Sequence, residues 1–161
     1  MNALVIYESF FGNTEKVAQA VGDALGEKTD IEIKRVGDIQ PDQLKGLKLL
    51  IIGSPTRAFR PSPAVSAFLK SIPNNSLKGV KAAAFDTRIS TEYIKSRPLR
   101  FMVKLFGYAA KPMAEKLRKK GAEIIVPPEG FFVKDTEGPI KEGELPRAAA
   151  WAKQIEEKID L

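Results

Sequence analysis

The sequence predicts a doubly wound α/β domain, and three observations carry that expectation. Five apolar, strand-like runs alternate with stretches of helical periodicity. One of those runs, LKLLIIG, is apolar almost throughout, as a parallel strand buried on both faces would be. Residues suited to ligand contact collect just after the first, third and fourth runs. Strands alternating with helices imply a parallel sheet joined by right-handed crossovers. Ligands bind such sheets outside the carboxyl ends of the strands, where the strand order reverses.

Each element has its own justification. Residues 4–7 (LVIY) read as a buried strand, and residues 15–25 put Val17, Ala18, Val21 and Leu25 on one helical stripe. Residues 31–36 alternate apolar and polar, the pattern of an edge strand, and residues 47–53 supply the central strand. Residues 64–69 form a short helix introduced by Pro61, Ser62 and Pro63. Residues 80–85 (VKAAAF) make a fourth strand whose small side chains admit close helix packing. Residues 111–120 are helical with Met113, Ala114 and Leu117 inward, and Gly121 ends the helix. Residues 122–126 are the fifth strand. Residues 146–159 are the last helix, preceded by Glu144 and Leu145, with Ala150, Ile155 and Ile159 available to the core. Residues 1–161 are expected to form a single domain, with an apolar and basic, insertion-like segment around 89–108.

Composition removes several classes of chemistry. The chain has no cysteine and no histidine, which excludes disulfides, thiolate catalysis, Ser-His-Asp triads and zinc sites of the usual ligands. No cluster of Asp and Glu suggests a metal site, so neither a metal nor a catalytic side chain is expected. A strand-like run begins directly after Met1, with no signal peptide visible, and the apolar runs fall far short of the ~20 residues that span a bilayer. A cytoplasmic protein is the expectation.

The net charge of +6 is unevenly placed. Residues 88–120 hold ten Lys or Arg against two Asp or Glu, leaving 16 basic and 18 acidic residues elsewhere. The chain is therefore a near-neutral domain with one basic segment, suited to an acidic partner or an anionic membrane. No helix-turn-helix spacing or aromatic strand pattern accompanies the charge, so no nucleic-acid partner is expected.

The first loop is the most specific feature. Glu8-Ser9-Phe10-Phe11-Gly12-Asn13-Thr14 joins a buried strand to an amphipathic helix. Backbone N–H groups and the helix dipole converge there, which suits a phosphate. Gly12 admits close approach of an oxygen, and Ser9, Asn13 and Thr14 add side-chain donors. One such residue would suffice to cap the helix; a run of them after a buried strand points to a ligand.

This pattern resembles the flavodoxin-like family, whose first loop, Ser/Thr-x-Thr-Gly-x-Thr, holds the phosphate of FMN. Here it stands as Ser9-Phe10-Phe11-Gly12-Asn13-Thr14, with Phe11 in place of the middle Thr, so one hydroxyl is lost and its backbone N–H kept. The resemblance implies a five-stranded parallel sheet of order 2-1-3-4-5 flanked by helices, with FMN as cofactor. The second loop, Gly53-Ser54-Pro55-Thr56-Arg57-Ala58-Phe59, is similar to the Gly-x-Pro-Thr-Arg loop of FMN-dependent quinone reductases of the same superfamily. By that likeness Pro55, Thr56, Arg57, Ala58 and Phe59 contact the flavin ring. Asp86, Thr87 and Arg88 fall where the family holds the ring's other side. Residues 138–144 (GPIKEGE) resemble the tail of a small subgroup of flavodoxin domains.

Two functions follow from the resemblance. The first is an FMN-binding carrier of electrons between redox proteins, docking on an acidic face. The second is an FMN-dependent NAD(P)H:quinone oxidoreductase or a membrane-linked flavodoxin-like oxidase, with a quinone as partner. Arg57 and Arg88, with Arg60 nearby, are expected to favour the anionic reduced flavin and raise its lowest potential above that of an acidic flavodoxin. Residues 97–108 (RPLRFMVKLFGY) set Arg97, Arg100 and Lys104 on one narrow face. Leu99, Phe101, Met102, Val103, Leu105 and Phe106 cover most of the rest. This segment reads either as a lid over the flavin loops or as a surface for peripheral membrane or partner contact. Locally it looks like the apolar insertion of flavodoxin-like, quinone-linked protoporphyrinogen oxidases.

Overall fold

The computed structural model describes residues 2–26 and 29–159. The chain runs β1 (Ala3–Tyr7), α1 (Asn13–Gly26), β2 (Ile31–Arg35), β3 (Leu49–Pro55), α2 (Pro63–Ser71), β4 (Lys81–Ile89), α3 (Arg97–Phe106), α4 (Ala110–Lys119), β5 (Glu123–Ile124), β6 (Glu129–Val133) and α5 (Glu144–Ile159). The strands lie in the order β2-β1-β3-β4-β5, all parallel, with β6 also paired to β4. This is the doubly wound sheet that the alternating pattern predicted, in the order 2-1-3-4-5 that the resemblance implied.

The fifth lane departs from the expected single strand over 122–126. It is split: Glu123 and Ile124 pair with Lys81 and Ala82, and Glu129 through Val133 pair with Phe85 through Ile89. Pro127 and Pro128 lie between, and proline has no N–H to give a ladder. Because β6 gives β4 a partner beyond Phe85, β4 runs on to Ile89. Asp86, Thr87 and Arg88, expected in a loop, are therefore strand residues.

Apolar layers cover both faces of the sheet. On one face α1 and α5 bury Val17, Val21, Leu25, Trp151 and Ile155 against β1 and β3; on the other α2 and α4 bury Phe68, Leu69, Met113 and Leu117. Each such side chain contributes about 1.5–3 kcal/mol on burial. Phe85, Phe131 and Trp151 meet edge to face, each pair of ring centroids 6.0 Å apart, joining β4, β6 and α5. Gly53, opposite Phe85 in the register, makes room for that ring: a Cβ there would lie 2.1 Å from Phe85 Cζ. Among the described residues, no helix is long and apolar enough to cross a membrane.

Candidate functional site

The carboxyl ends of β1, β3 and β4 open onto a groove of about 310 Å³. Its walls come from three stretches that the sequence singled out: Ser9, Phe10, Phe11, Asn13 and Thr14; Pro55, Thr56, Arg57 and Ala58; Thr87 and Arg88. Of the expected residues, Gly12, Phe59 and Asp86 do not line it. Ile89, Val133 and Thr136 do, although none was among the expected site residues.

The first loop is held open by its own side chains. The Gly12 N–H donates to Ser9 Oγ at 3.0 Å, and Gly12 adopts the left-handed φ of 86° that glycine tolerates. Space beside it is open, with nothing within 4 Å of where a Cβ would sit. Ser9 Oγ accepts that bond and so keeps its own proton for a ligand. Thr14 and Thr87 share one hydrogen bond between their hydroxyls, 2.8 Å long. Whichever donates, the proton of the other is left over. The first-turn amides of α1 have no helical carbonyl four residues back, which leaves Asn13, Thr14 and Glu15 N–H groups facing the loop. Such an arrangement binds an anion through N–H groups, hydroxyls and helix dipole together. Arg35 steadies the loop from β2, donating to the Ser9 carbonyl at 3.1 Å while lying 3.9 Å from Glu8 and 3.7 Å from Glu15.

The second loop is a tight hairpin. Arg57 and Arg60 exchange both backbone bonds, 2.8 and 2.9 Å, leaving Ala58 and Phe59 as its two central residues. Both have left-handed φ, 46° and 68°, as a type I′ turn demands, and neither is glycine. Each non-glycine residue held there costs roughly 1–2 kcal/mol. Ser54 secures the base of the loop, its hydroxyl accepting from Ser62 N–H at 2.8 Å and donating to the Pro55 carbonyl at 2.9 Å. At the mouth, the Arg57 guanidinium lies 4.7 Å from the centre of the half-exposed Phe10 ring.

The third wall carries a clamped cation. Asp86 and Arg88 stand two apart on β4, hence on one face of the strand, and pair through two bonds of 2.6 and 2.7 Å. Tyr108 lies flat against the Arg88 guanidinium, 3.9 Å from its ring centre, and Gly130 on β6 leaves the space the guanidinium fills. Asp86 is fully buried and also accepts the Ala110 N–H at 2.8 Å. Burial pushes its carboxyl above the usual range against the opposing pull of Arg88 and that amide. Asp86 thus acts beneath the groove rather than in it, fixing Arg88 and the start of α4. Thr56 helps, accepting the Ala109 N–H at 3.1 Å.

The far wall depends on α5. Glu144 accepts from Arg147 at 2.8 and 2.6 Å and from the Phe132 N–H at 2.7 Å. Arg147 also donates to the Gly130 carbonyl and covers the Phe131 ring at 4.5 Å. These bonds hold β6 against α5 and so place Val133 and Thr136 at the groove. Gly138 closes against Asn13, and a Cβ there would come within 2.7 Å of Asn13 Oδ1.

The arrangement can hold an anion at the amino end of α1 and a flat, partly apolar group between Phe10, the 55–59 turn and Thr87–Arg88. The chain is similar to several known proteins. Residues 5–151 match the flavodoxin family model. A flavodoxin from Maridesulfovibrio salexigens is 30% identical over 128 residues, covering 76% of this chain and 80% of its own. NADPH-dependent diflavin oxidoreductase 1 of Emericella nidulans is 29% identical over 134 residues, 78% of this chain but only 19% of that protein. The chain thus spans about a fifth of the second relative and four fifths of the first. The structure of an archaeal flavodoxin has the same fold, with a TM-score of 0.78, full coverage of both chains and 24% identity.

Proposed function

The chain belongs to the flavodoxin family, and on that premise we propose that it holds FMN in this groove and carries electrons between redox proteins. The observation that carries the reading is the loop at α1, where unpaired first-turn amides and two spare hydroxyl protons meet at the groove beside a left-handed Gly12. Those donors match a phosphate monoester, and the adjoining groove is lined by Phe10, Phe11, Pro55 and Ala58, apolar residues suited to an isoalloxazine.

When bound, FMN supplies the redox chemistry, accepting and releasing electrons through its ring system. The protein's part is to bind, orient and bias. Ser9, Asn13, Thr14 and the first-turn amides hold the phosphate. Pro55 to Ala58 and Phe10 would bound the ring on one side, and Thr87 and Arg88 on the other. Arg57 and Arg88 place cations beside the ring, although Asp86 offsets much of the second. An acid–base side chain is not required for electron transfer, which suits a chain without histidine or cysteine. The loop residues stay half-exposed at Phe10 and Phe11, leaving an edge on which a redox partner can dock.

The test is the visible absorption spectrum of the purified protein after FMN is added and the excess removed. Retained flavin near one per chain is expected, with electron exchange to a second redox protein and no sustained NAD(P)H consumption with a quinone. A protein that retains no flavin would overturn the reading. Rapid NAD(P)H-driven quinone turnover would replace the carrier with an enzyme.

A further inference from the structure

Helix α3 is built the wrong way round for a surface helix. Phe101 and Leu105, one turn apart, are 66% and 64% exposed, whereas Val103, about half a turn round the helix, is buried at 8%. The outermost line of α3 is therefore its most apolar. Leu99 and Met102 are also exposed. The Phe106 side chain lies outside the described residues. Arg97, Arg100 and Lys104 occupy one flank, Lys95 precedes them, and the helix contains no acidic residue.

We infer that α3 is a contact site for an anionic phospholipid surface. A helix with apolar side chains at its outer crest and cations at its flank lies in the plane of a headgroup layer, its apolar groups among the acyl chains and its cations at the phosphates. Charge complementarity selects the anionic lipid. The shape selects a lipid over a folded protein: Phe101 and Leu105 stand on a crest, and a fluid surface receives a crest without needing a matching hollow.

The position of α3 gives the contact a use. Gly107, at φ 75°, ends the helix with its N–H on the Val103 carbonyl at 2.7 Å. Tyr108 then lies on the guanidinium of Arg88, which lines the groove. The lipid-facing helix and the groove thus share the carboxyl edge of the sheet. Docking through α3 brings the groove mouth near whatever redox centre the membrane holds. The inference does not require that FMN be the ligand.

Co-sedimentation of the full chain with phosphatidylcholine vesicles, with and without phosphatidylglycerol, tests it. Binding is expected only to the vesicles that contain phosphatidylglycerol. The Phe101→Ser/Leu105→Ser variant should weaken it roughly tenfold or more, because the crest is lost. Arg97→Gln/Arg100→Gln/Lys104→Gln should do the same, because the cations are. Both changes lie on exposed positions, and circular dichroism will report the fold. No binding to phosphatidylglycerol vesicles overturns the inference, as does binding that survives loss of the crest. Self-association abolished by Phe101→Ser/Leu105→Ser, with no vesicle binding, overturns it in favour of a second copy of the chain. The absorption spectrum of the same sample separates the two readings: absence of flavin would defeat the proposed function and leave the vesicle result standing.

Discussion

Thr14, in the first turn of the first helix, and Thr87, near the carboxyl end of the fourth strand, share a 2.8 Å hydroxyl–hydroxyl hydrogen bond at the groove. Both residues are buried, so removing one hydroxyl strands the other, at about 1–3 kcal/mol. Thr87→Val keeps the shape and removes the bond and one donatable proton. We expect it to weaken FMN binding roughly tenfold in a flavin-fluorescence titration, with Thr87→Ser close to the parent. Equal affinity for all three proteins would show that the pair plays no part in the site.

The turn at Ala58 and Phe59 predicts a gain of stability. Ala58→Gly removes the cost of a left-handed alanine, roughly 1–2 kcal/mol, and returns part of it as unfolded-chain entropy. A net stabilisation of about 0.5–1 kcal/mol should appear in urea unfolding of the apoprotein. Destabilisation instead would mean that the strain is not in this turn.

Arg57 and Arg88 should differ in their effect on the bound flavin. Arg88 spends its charge on Asp86, whereas Arg57 lies over the neutral face of Phe10. Both Arg57→Gln and Arg88→Gln should lower the lowest flavin potential in a spectroelectrochemical titration, and Arg57→Gln should lower it more. The reverse order would mean that Asp86 does not offset its partner.

Glu144 predicts an acid-sensitive clamp. Burial raises its carboxyl, but the Arg147 hydrogen bonds, the Phe132 amide and the charges of Arg147 and Lys141 together hold it below its ordinary value of 4.5. A group depressed on folding adds stability above that ordinary value and loses it as the pH falls through the folded one. Glu144→Gln should therefore cost roughly 1.5–3 kcal/mol at neutral pH, with the gap closing on acidification. A gap that stays constant down to acid pH would assign the loss to something other than this charge.

The parts of this fold legible in the sequence are those whose signals are local. The apolar runs of β1 and β3 and the stripe Val17-Val21-Leu25 announce themselves through periodicity, and all are buried. The loops at 9–14 and 55–59 are marked by glycine, proline and hydroxyl residues beside such runs. The missed parts depend on partners distant in sequence. Asp86, Thr87 and Arg88 carry the composition of a turn, yet β6 holds them in a ladder. β6 itself was hidden behind Pro127 and Pro128 and interrupted by Gly130, whose missing side chain makes room for Arg88. Val133 and Thr136 lie at and beyond the end of β6, which the β4 ladder and the bonds of Glu144 and Arg147 hold in place. The Asp86–Arg88 pair was readable in principle from two-residue spacing, but only once β4 was known to continue.

The broken fifth lane has a bearing on how the molecule coexists with its own copies. An exposed outer strand offers a row of free donors and acceptors to which another chain can add. Here that row is short or already taken. β5 has two residues, Pro127 and Pro128 offer no donors, and the outer side of β6 is bridged to Ile140, with Lys134 N–H on the Pro139 carbonyl and Lys141 N–H on the Phe132 carbonyl. The two prolines that obscured the strand in the sequence also help protect this margin of the sheet from templating an aggregate.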